Sequence, residues 1–352
     1  MHAHRHIRSI TIAVVAASLA VAACGGDDDG GGDGGSSGDG IAALLRQMPA
    51  VERGDDLIQY TYGDLAMATE LAGLTRPTSP SSTDDVVAWA VGISGFGSDD
   101  EPATVVAPVP EVFGARGVND MDEFADEIGW SILDVDRFLE LSMLPDRFTL
   151  IDGTVDTEAV EQAVGPARND IWSLGEGDDF ELGDSRSAAS PLGVPIRMTE
   201  RDGLFAVTPS TDMAGAFFDG DDLGGDDGFV AVAEHLDDAD VYGAFLVSMS
   251  DDRDGSPFDT VGIGVALDDD GALVVIAYHY ADEAAAADAV GDVEDVLDGE
   301  SLRTGQPWSE IFSSSEVTAD GSTVVATLRL ADDRSPSIAQ QILFAGDSLV
   351  NF

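Results

Sequence analysis

The chain contains no lysine: all sixteen of its basic residues are arginine, set against 68 acidic residues in 352, for a formal net charge of -52. That balance excludes a nucleic-acid-binding surface, which needs a basic face to displace phosphate counterions. It also excludes electrostatic docking on anionic lipid headgroups. Cysteine occurs once, which excludes an intrachain disulfide and a cysteine-rich metal site. Aromatic residues are sparse, at 7%. The mainly apolar run from Ile10 to Ala23 is fourteen residues, too short for a comfortable membrane span. What the chain has is 44% apolar residues, enough to build a sizeable core despite the charge.

The first forty residues carry the clearest signal. Arg5 and Arg8 precede the apolar run with no acid between them, the order of an export signal, and no Arg-Arg pair points to the twin-arginine route. The run ends Val21-Ala22-Ala23-Cys24-Gly25. This resembles the lipobox of bacterial lipoproteins, in which small residues enter a protease groove and the cysteine thiol takes a diacylglyceryl group. The resemblance implies cleavage before Cys24, lipidation of its thiol, and residence at the extracytoplasmic face of the cell membrane, held by two or more acyl chains. The bland alternative is an ordinary signal peptide with an incidental cysteine. A lone exported thiol has no disulfide partner, which favours the lipid reading. Residues 25–40 are only glycine, aspartate and serine, a flexible tether spanning roughly 20–25 Å. The expected organisation is therefore signal peptide 1–23, lipidated cysteine and tether 24–40, and two α+β halves, 41–225 and 226–352.

Within the body, 41–75 reads as mostly helical, 86–94 as a buried strand, and 121–144 as a helical patch. The segment 147–155 reads as a strand, followed by a helix capped by Asp156 and ended by Gly165-Pro166. Residues 196–208 read as a hairpin turning at Asp202-Gly203, followed by a helix capped at Ser210 or Thr211. Strands at 241–250 and 260–267, a turn at Asp270-Gly271, a helix capped by Asp282, a hairpin turning at Asp320-Gly321 and a helix after Ser335-Pro336 repeat that order. The offsets are about 126, 118 and 125 residues, which suggests two related halves, each with antiparallel strands or hairpins packed against helices. The alternative is chance, since α+β chains often show such an order.

The search for chemistry returns few candidates. His235 and His279 are the histidines beyond the signal segment, and no G-x-S-x-G elbow, H-E-x-x-H, P-loop or dinucleotide fingerprint accompanies them. No catalytic residue and no cofactor is assigned. With acids at nearly one residue in five, any fold brings carboxylates together, so no pair is nominated. Asp252, Asp254 and Asp259 are weak calcium candidates, because a Val stands where an EF-hand-like loop needs a bidentate glutamate. Asp27 to Asp29 lack ligand spacing, and the stretch 219–228 is similar to the 252–259 candidate and no better, the simpler reading of both loops being solvated acid. Arg303 and Trp308 could line a pocket rim, against the simpler reading that Trp308 and Phe312 plug the end of the core. Trp89, Trp130 and Trp172 lie in apolar contexts and read as core.

The segments MLPDRFTLIDGTVDTEAV, LGEGDDFEL, DDADVYGAFL, YHYADEAAAADAV and SLRTGQPWSEIF resemble envelope lipoproteins of actinobacterial type that have no established activity. The resemblance implies an α+β fold and an envelope setting and carries over no site residue. The expected function is a non-enzymatic module that binds a ligand or an envelope protein, with the membrane reached through the N-terminal lipid. The alternatives are an extracytoplasmic hydrolase using carboxylates and a passive spacer.

Overall fold

Short acidic turns drive the architecture. At Asp202-Gly203 both residues have positive φ, 55° and 84°, the backbone of a two-residue hairpin turn whose twist matches its strands. Such reversals fold the chain into one eleven-stranded antiparallel sheet. The computed structural model describes residues 40–51, 57–79, 82–95, 103–114, 120–143, 146–175, 179, 186–220, 224–248 and 256–352.

The strands are β1 (Gln59–Asp64), β2 (Val135–Met143), β3 (Asp146–Gly153), β4 (Trp172–Leu174), β5 (Ile196–Arg201), β6 (Leu204–Thr208), β7 (Gly243–Ser248), β8 (Thr260–Asp268), β9 (Gly271–His279), β10 (Phe312–Asp320) and β11 (Thr323–Leu330). Their order across the sheet is β10-β11-β9-β8-β7-β1-β2-β3-β6-β5-β4. The helices are α1 (Ile41–Leu45), α2 (Leu65–Leu71), α3 (Thr83–Ser94), α4 (Met121–Ile128), α5 (Thr157–Val164), α6 (Thr211–Asp219), α7 (Asp227–Asp238), α8 (Glu283–Leu297) and α9 (Ile338–Phe344). The fold is α+β. The division at 225/226 falls between α6 and α7, and the sheet runs through it by way of the β1–β7 pair.

Helices cover both faces of the sheet. On face one, Phe138, Ile151, Val207, Ile263, Ile276 and Leu328 pack beneath α2, α3, α4, α5, α8 and α9. On face two, Leu139, Leu141, Leu150, Leu246 and Ala277 pack beneath α1, α6 and α7. Each of the larger side chains contributes roughly 1.5–3 kcal/mol when fully buried. That is why a five-residue helix such as α1 persists: it buries Ile41, Leu44 and Leu45, far more than its intrinsic propensity could supply. Asp237 of α7 also caps it, accepting hydrogen bonds from the Ile41 and Ala42 N–H groups at 2.7 and 3.0 Å.

Several local readings of the sequence are corrected. Residues 86–94 lie in α3, not a strand. Val86, Trp89, Ala90 and Ile93 are its buried apolar positions, the spacing of one helical face. The stretch 135–143 is β2, not a continuation of the helix before it. The region 41–75 contains β1 as well as two short helices. Both strands lie inside the sheet and are covered on both faces, so β2 lacks the apolar-polar alternation that marks a one-sided strand. The caps at Asp156, Ser210 and Asp282 are as expected, each side chain accepting from backbone N–H groups in the first turn of its helix.

Candidate functional site

The site begins with a close approach at the centre of the sheet. Gly63 of β1 and Gly243 of β7 are register partners. A β-carbon on Gly63 would stand 2.7 Å from the Pro108 carbonyl oxygen, and one on Gly243 would stand 2.6 Å from Pro108 Cδ. Neither is possible, so the paired glycines are what let the segment 103–114 cross face one directly on the backbone. The crossing is fastened by Ala107 N–H donating to the Ile93 carbonyl at 2.8 Å and Val106 N–H to the Tyr242 hydroxyl at 3.3 Å. Phe113 ends the crossing in an aromatic cluster, its ring 5.1 Å from those of both Phe124 and Trp130.

This segment forms one wall of a cleft of about 450 Å³ on face one. Val112 and Phe113 line that wall, and Val194, Pro195 and Ile196 line the wall opposite. Val207 lies between them, with the polar groups of Glu111, Arg147, Thr149, Ser190 and Thr208 set among the apolar ones. The opposite wall is held by Glu127 of α4, whose carboxylate accepts from Ala188 and Ala189 N–H at 3.2 and 2.9 Å. Volume and lining are those of a small-molecule pocket, mostly apolar with a few placed polar groups.

Glu140 of β2 lies behind these groups and is only 5% exposed. Its Oε2 accepts from Thr149 Oγ1 at 2.8 Å and from Glu111 N–H at 3.1 Å. It thus ties β2 to β3 and to the crossing segment. The Arg147 guanidinium, 2.7 Å from the Glu111 carboxylate, makes a second tie between the same elements. Burial pushes the Glu140 carboxyl up to about 7, and the Thr149 and Glu111 hydrogen bonds and the nearby Arg147 only partly oppose it. Glu111 and Arg147 are its charged neighbours, and they neutralise one another.

Among the residues singled out by sequence, Val21, Ala22, Ala23, Cys24, Asp252 and Asp254 lie outside the described residues. Asp259 is hydrogen-bonded to His279, its Oδ1 2.8 Å from Nδ1. Among the described residues, no group of three or more His, Cys, Asp or Glu is gathered as a metal site, and no helix is long and apolar enough to cross a membrane. Trp308 is buried, stacked at 5.8 Å on Phe312, and its Nε1 donates to Ser348 Oγ at 3.2 Å. It lines a second cavity of about 430 Å³ between α8 and β10, whose other lining includes Glu294, Asp298 and Ser313. Arg303 is exposed and outside that lining. His235 is half-buried in the last turn of α7. Trp89 donates to Thr69 Oγ1 at 3.0 Å, Trp130 sits in the aromatic cluster, and Trp172 stacks on Phe205 at 6.4 Å.

Neither Glu140 nor the cleft was singled out from the sequence. Glu140 is one acid among 68. The signal that was present is its setting between Phe138-Leu139 and Leu141: a charge inside an apolar strand.

No family model matches the chain, and no curated protein matches it. Among solved structures, the one described as "Structure of crystal form IV of TP0453" aligns over 84% of this chain and 94% of that one, at 7% identity and a TM-score of 0.36. A likeness that slight carries no argument about fold or function.

Proposed function

We propose that this protein is a lipid-anchored extracytoplasmic binding protein that holds a small ligand in the face-one cleft. The observation that carries the binding role is the cleft itself, a preformed and mostly apolar space whose lining includes a few polar residues. The lipobox-like Val21-Ala22-Ala23-Cys24 supports the anchor, and the Gly/Asp/Ser segment after it supports a body held off the membrane. Glu111, which lines the cleft, is paired with Arg147 at 2.7 Å, and Glu140 does not line it and has one oxygen committed to structural hydrogen bonds. That favours binding over carboxylate-driven hydrolysis, where an acid must reach the scissile bond. The finer reading of the fold, two related halves, rests on strand order. Outward from the central pair, β1-β2-β3-β6-β5 runs one way and β7-β8-β9-β11-β10 the other. The last helices depart from this parallel, α6 lying on face two and α9 on face one.

One comparison tests both parts of the function. Full-length protein, Cys24→Ala and Val194→Trp are purified from cells and examined for membrane partition and, by native mass spectrometry, for co-purifying small molecules. Cys24→Ala should leave the membrane fraction with its ligand still bound. Val194→Trp, which fills the cleft from a half-buried wall position, should stay in the membrane fraction without it. A ligand retained equally by Val194→Trp would refute the cleft, and Cys24→Ala remaining with membranes would refute the anchor.

A further inference from the structure

Glu140 and the cleft share three neighbours. Thr149 and Glu111 donate to its Oε2, Arg147 pairs with Glu111, and all three residues line the cleft. Among the described residues, the second carboxylate oxygen has no hydrogen-bond donor. That oxygen is left to the little water that reaches a residue 5% exposed, and the three shared residues stand between the carboxylate and the cleft. An apolar occupant of the cleft replaces water with hydrocarbon one residue away from the carboxylate and so lowers its hydration. An ionised glutamate deprived of hydration is far costlier than a protonated one, so occupancy and protonation must favour each other. The coupling is reciprocal: whatever occupancy does to the proton, the proton does to occupancy.

The same geometry selects the ligand. The Arg147 charge is already met by Glu111, so no free cation waits for an anionic headgroup, and the 68 acids of the chain repel anions further. A cation would hold Glu140 ionised and would face Arg147 at the same point. A neutral, largely apolar molecule conflicts with neither group.

We infer that the cleft takes an uncharged apolar ligand and that Glu140 gains a proton as the ligand enters, so that the protein holds its ligand in mildly acidic surroundings and releases it in mildly alkaline ones. This rests on the binding reading given above. The already raised proton affinity of Glu140 places the switch near neutrality, where modest changes outside the membrane can move it.

The test uses the mature wild-type protein and N-phenyl-1-naphthylamine, a dye that is uncharged throughout this range and fluoresces in apolar sites. Affinity should rise about fivefold from pH 8 to pH 6, the part of the tenfold limit for one unit of coupling that falls in this window. Calorimetry at pH 7.5 (roughly the upper side of the transition) in two buffers of different ionisation enthalpy should show net proton uptake on binding. Glu140→Gln should bind with little dependence on pH. Binding with a flat pH profile and no proton uptake would overturn the inference and leave the cleft standing as a site. A wild-type slope preserved in Glu140→Gln would overturn the role of Glu140 alone. Dye binding unaffected by Val194→Trp, or no binding at any pH, would remove the cleft reading and this inference together. The calorimetric measurement needs no variant, so a poorly folding Glu140→Gln does not shield the idea.

Discussion

At the scale of single residues, Glu140 sets two tendencies against each other. Its hydrogen bonds from Thr149 and from Glu111 N–H favour the carboxylate, and burial disfavours it. Burial wins, so the folded protein binds this proton more tightly than the unfolded chain does. The sign follows from linkage: the contribution is present at low pH and is lost as pH rises from the ordinary glutamate range through about 7. At about 1.4 kcal/mol per unit, the loss is roughly 2–4 kcal/mol. Glu140→Gln stays neutral and should escape it. In urea titrations, the stability of Glu140→Gln relative to wild type should improve by that amount between pH 5 and pH 8. The amide group's own imperfect fit adds only an offset independent of pH. A difference that does not change with pH would show that Glu140 titrates normally. None of this was legible in sequence, because the effect comes from three residues at 111, 140 and 149 brought together by the crossing segment. The paired glycines that permit the crossing look in sequence like two ordinary glycines among forty.

At the scale of elements, legibility depended on how many sides of an element are covered. Hairpins with Asp-Gly turns and helices with Asp or Ser caps were readable because the signal is local chemistry. β2 was not, because a strand buried on both faces loses its period of two. α3 was mistaken because valine, tryptophan and isoleucine favour strands, although the 86, 89, 90, 93 spacing and the acids Asp84 and Asp85 in its first turn already described a helix. α1 shows a dependence that no local pattern could reveal. Its N-terminal cap comes from Asp237, almost two hundred residues away in sequence. Asp237→Ala should cost about 1–3 kcal/mol, the range for a cap and for hydrogen bonds to a charged group. Hydrogen exchange should show Leu44 and Leu45 deprotected well before the sheet. Unchanged protection there would mean that burial alone holds α1.

At the scale of the whole molecule, the sheet makes the two arms interdependent. β1 pairs with β2 on one side and β7 on the other, and Tyr60 faces both Leu141 and Leu246. The α7 residues Phe229, Val232 and Leu236 complete the core over face two. A fragment of residues 41–225 would keep its hairpins but expose the β1 edge and the apolar surface that α7 covers. It should elute as aggregates in size-exclusion chromatography, since an open flat edge invites pairing with other chains. A stable monomeric fragment would show that the first arm is an independent domain. The charge belongs at this scale too. It is spread over the body, and at physiological ionic strength its field fades beyond about 8 Å, so it governs solubility and the exclusion of polyanions more than it governs any one site.

The capping of α1 by Asp237 has a mechanical side. Any pull transmitted through the chain before Gly40 arrives first at α1, on face two, which the Asp237 carboxylate ties to α7. The cleft is on face one, across the thickness of the sheet. A load applied at Gly40 would therefore be shared between the covalent chain leading on to β1 and the two hydrogen bonds to Asp237, the latter on the face of the sheet opposite the cleft.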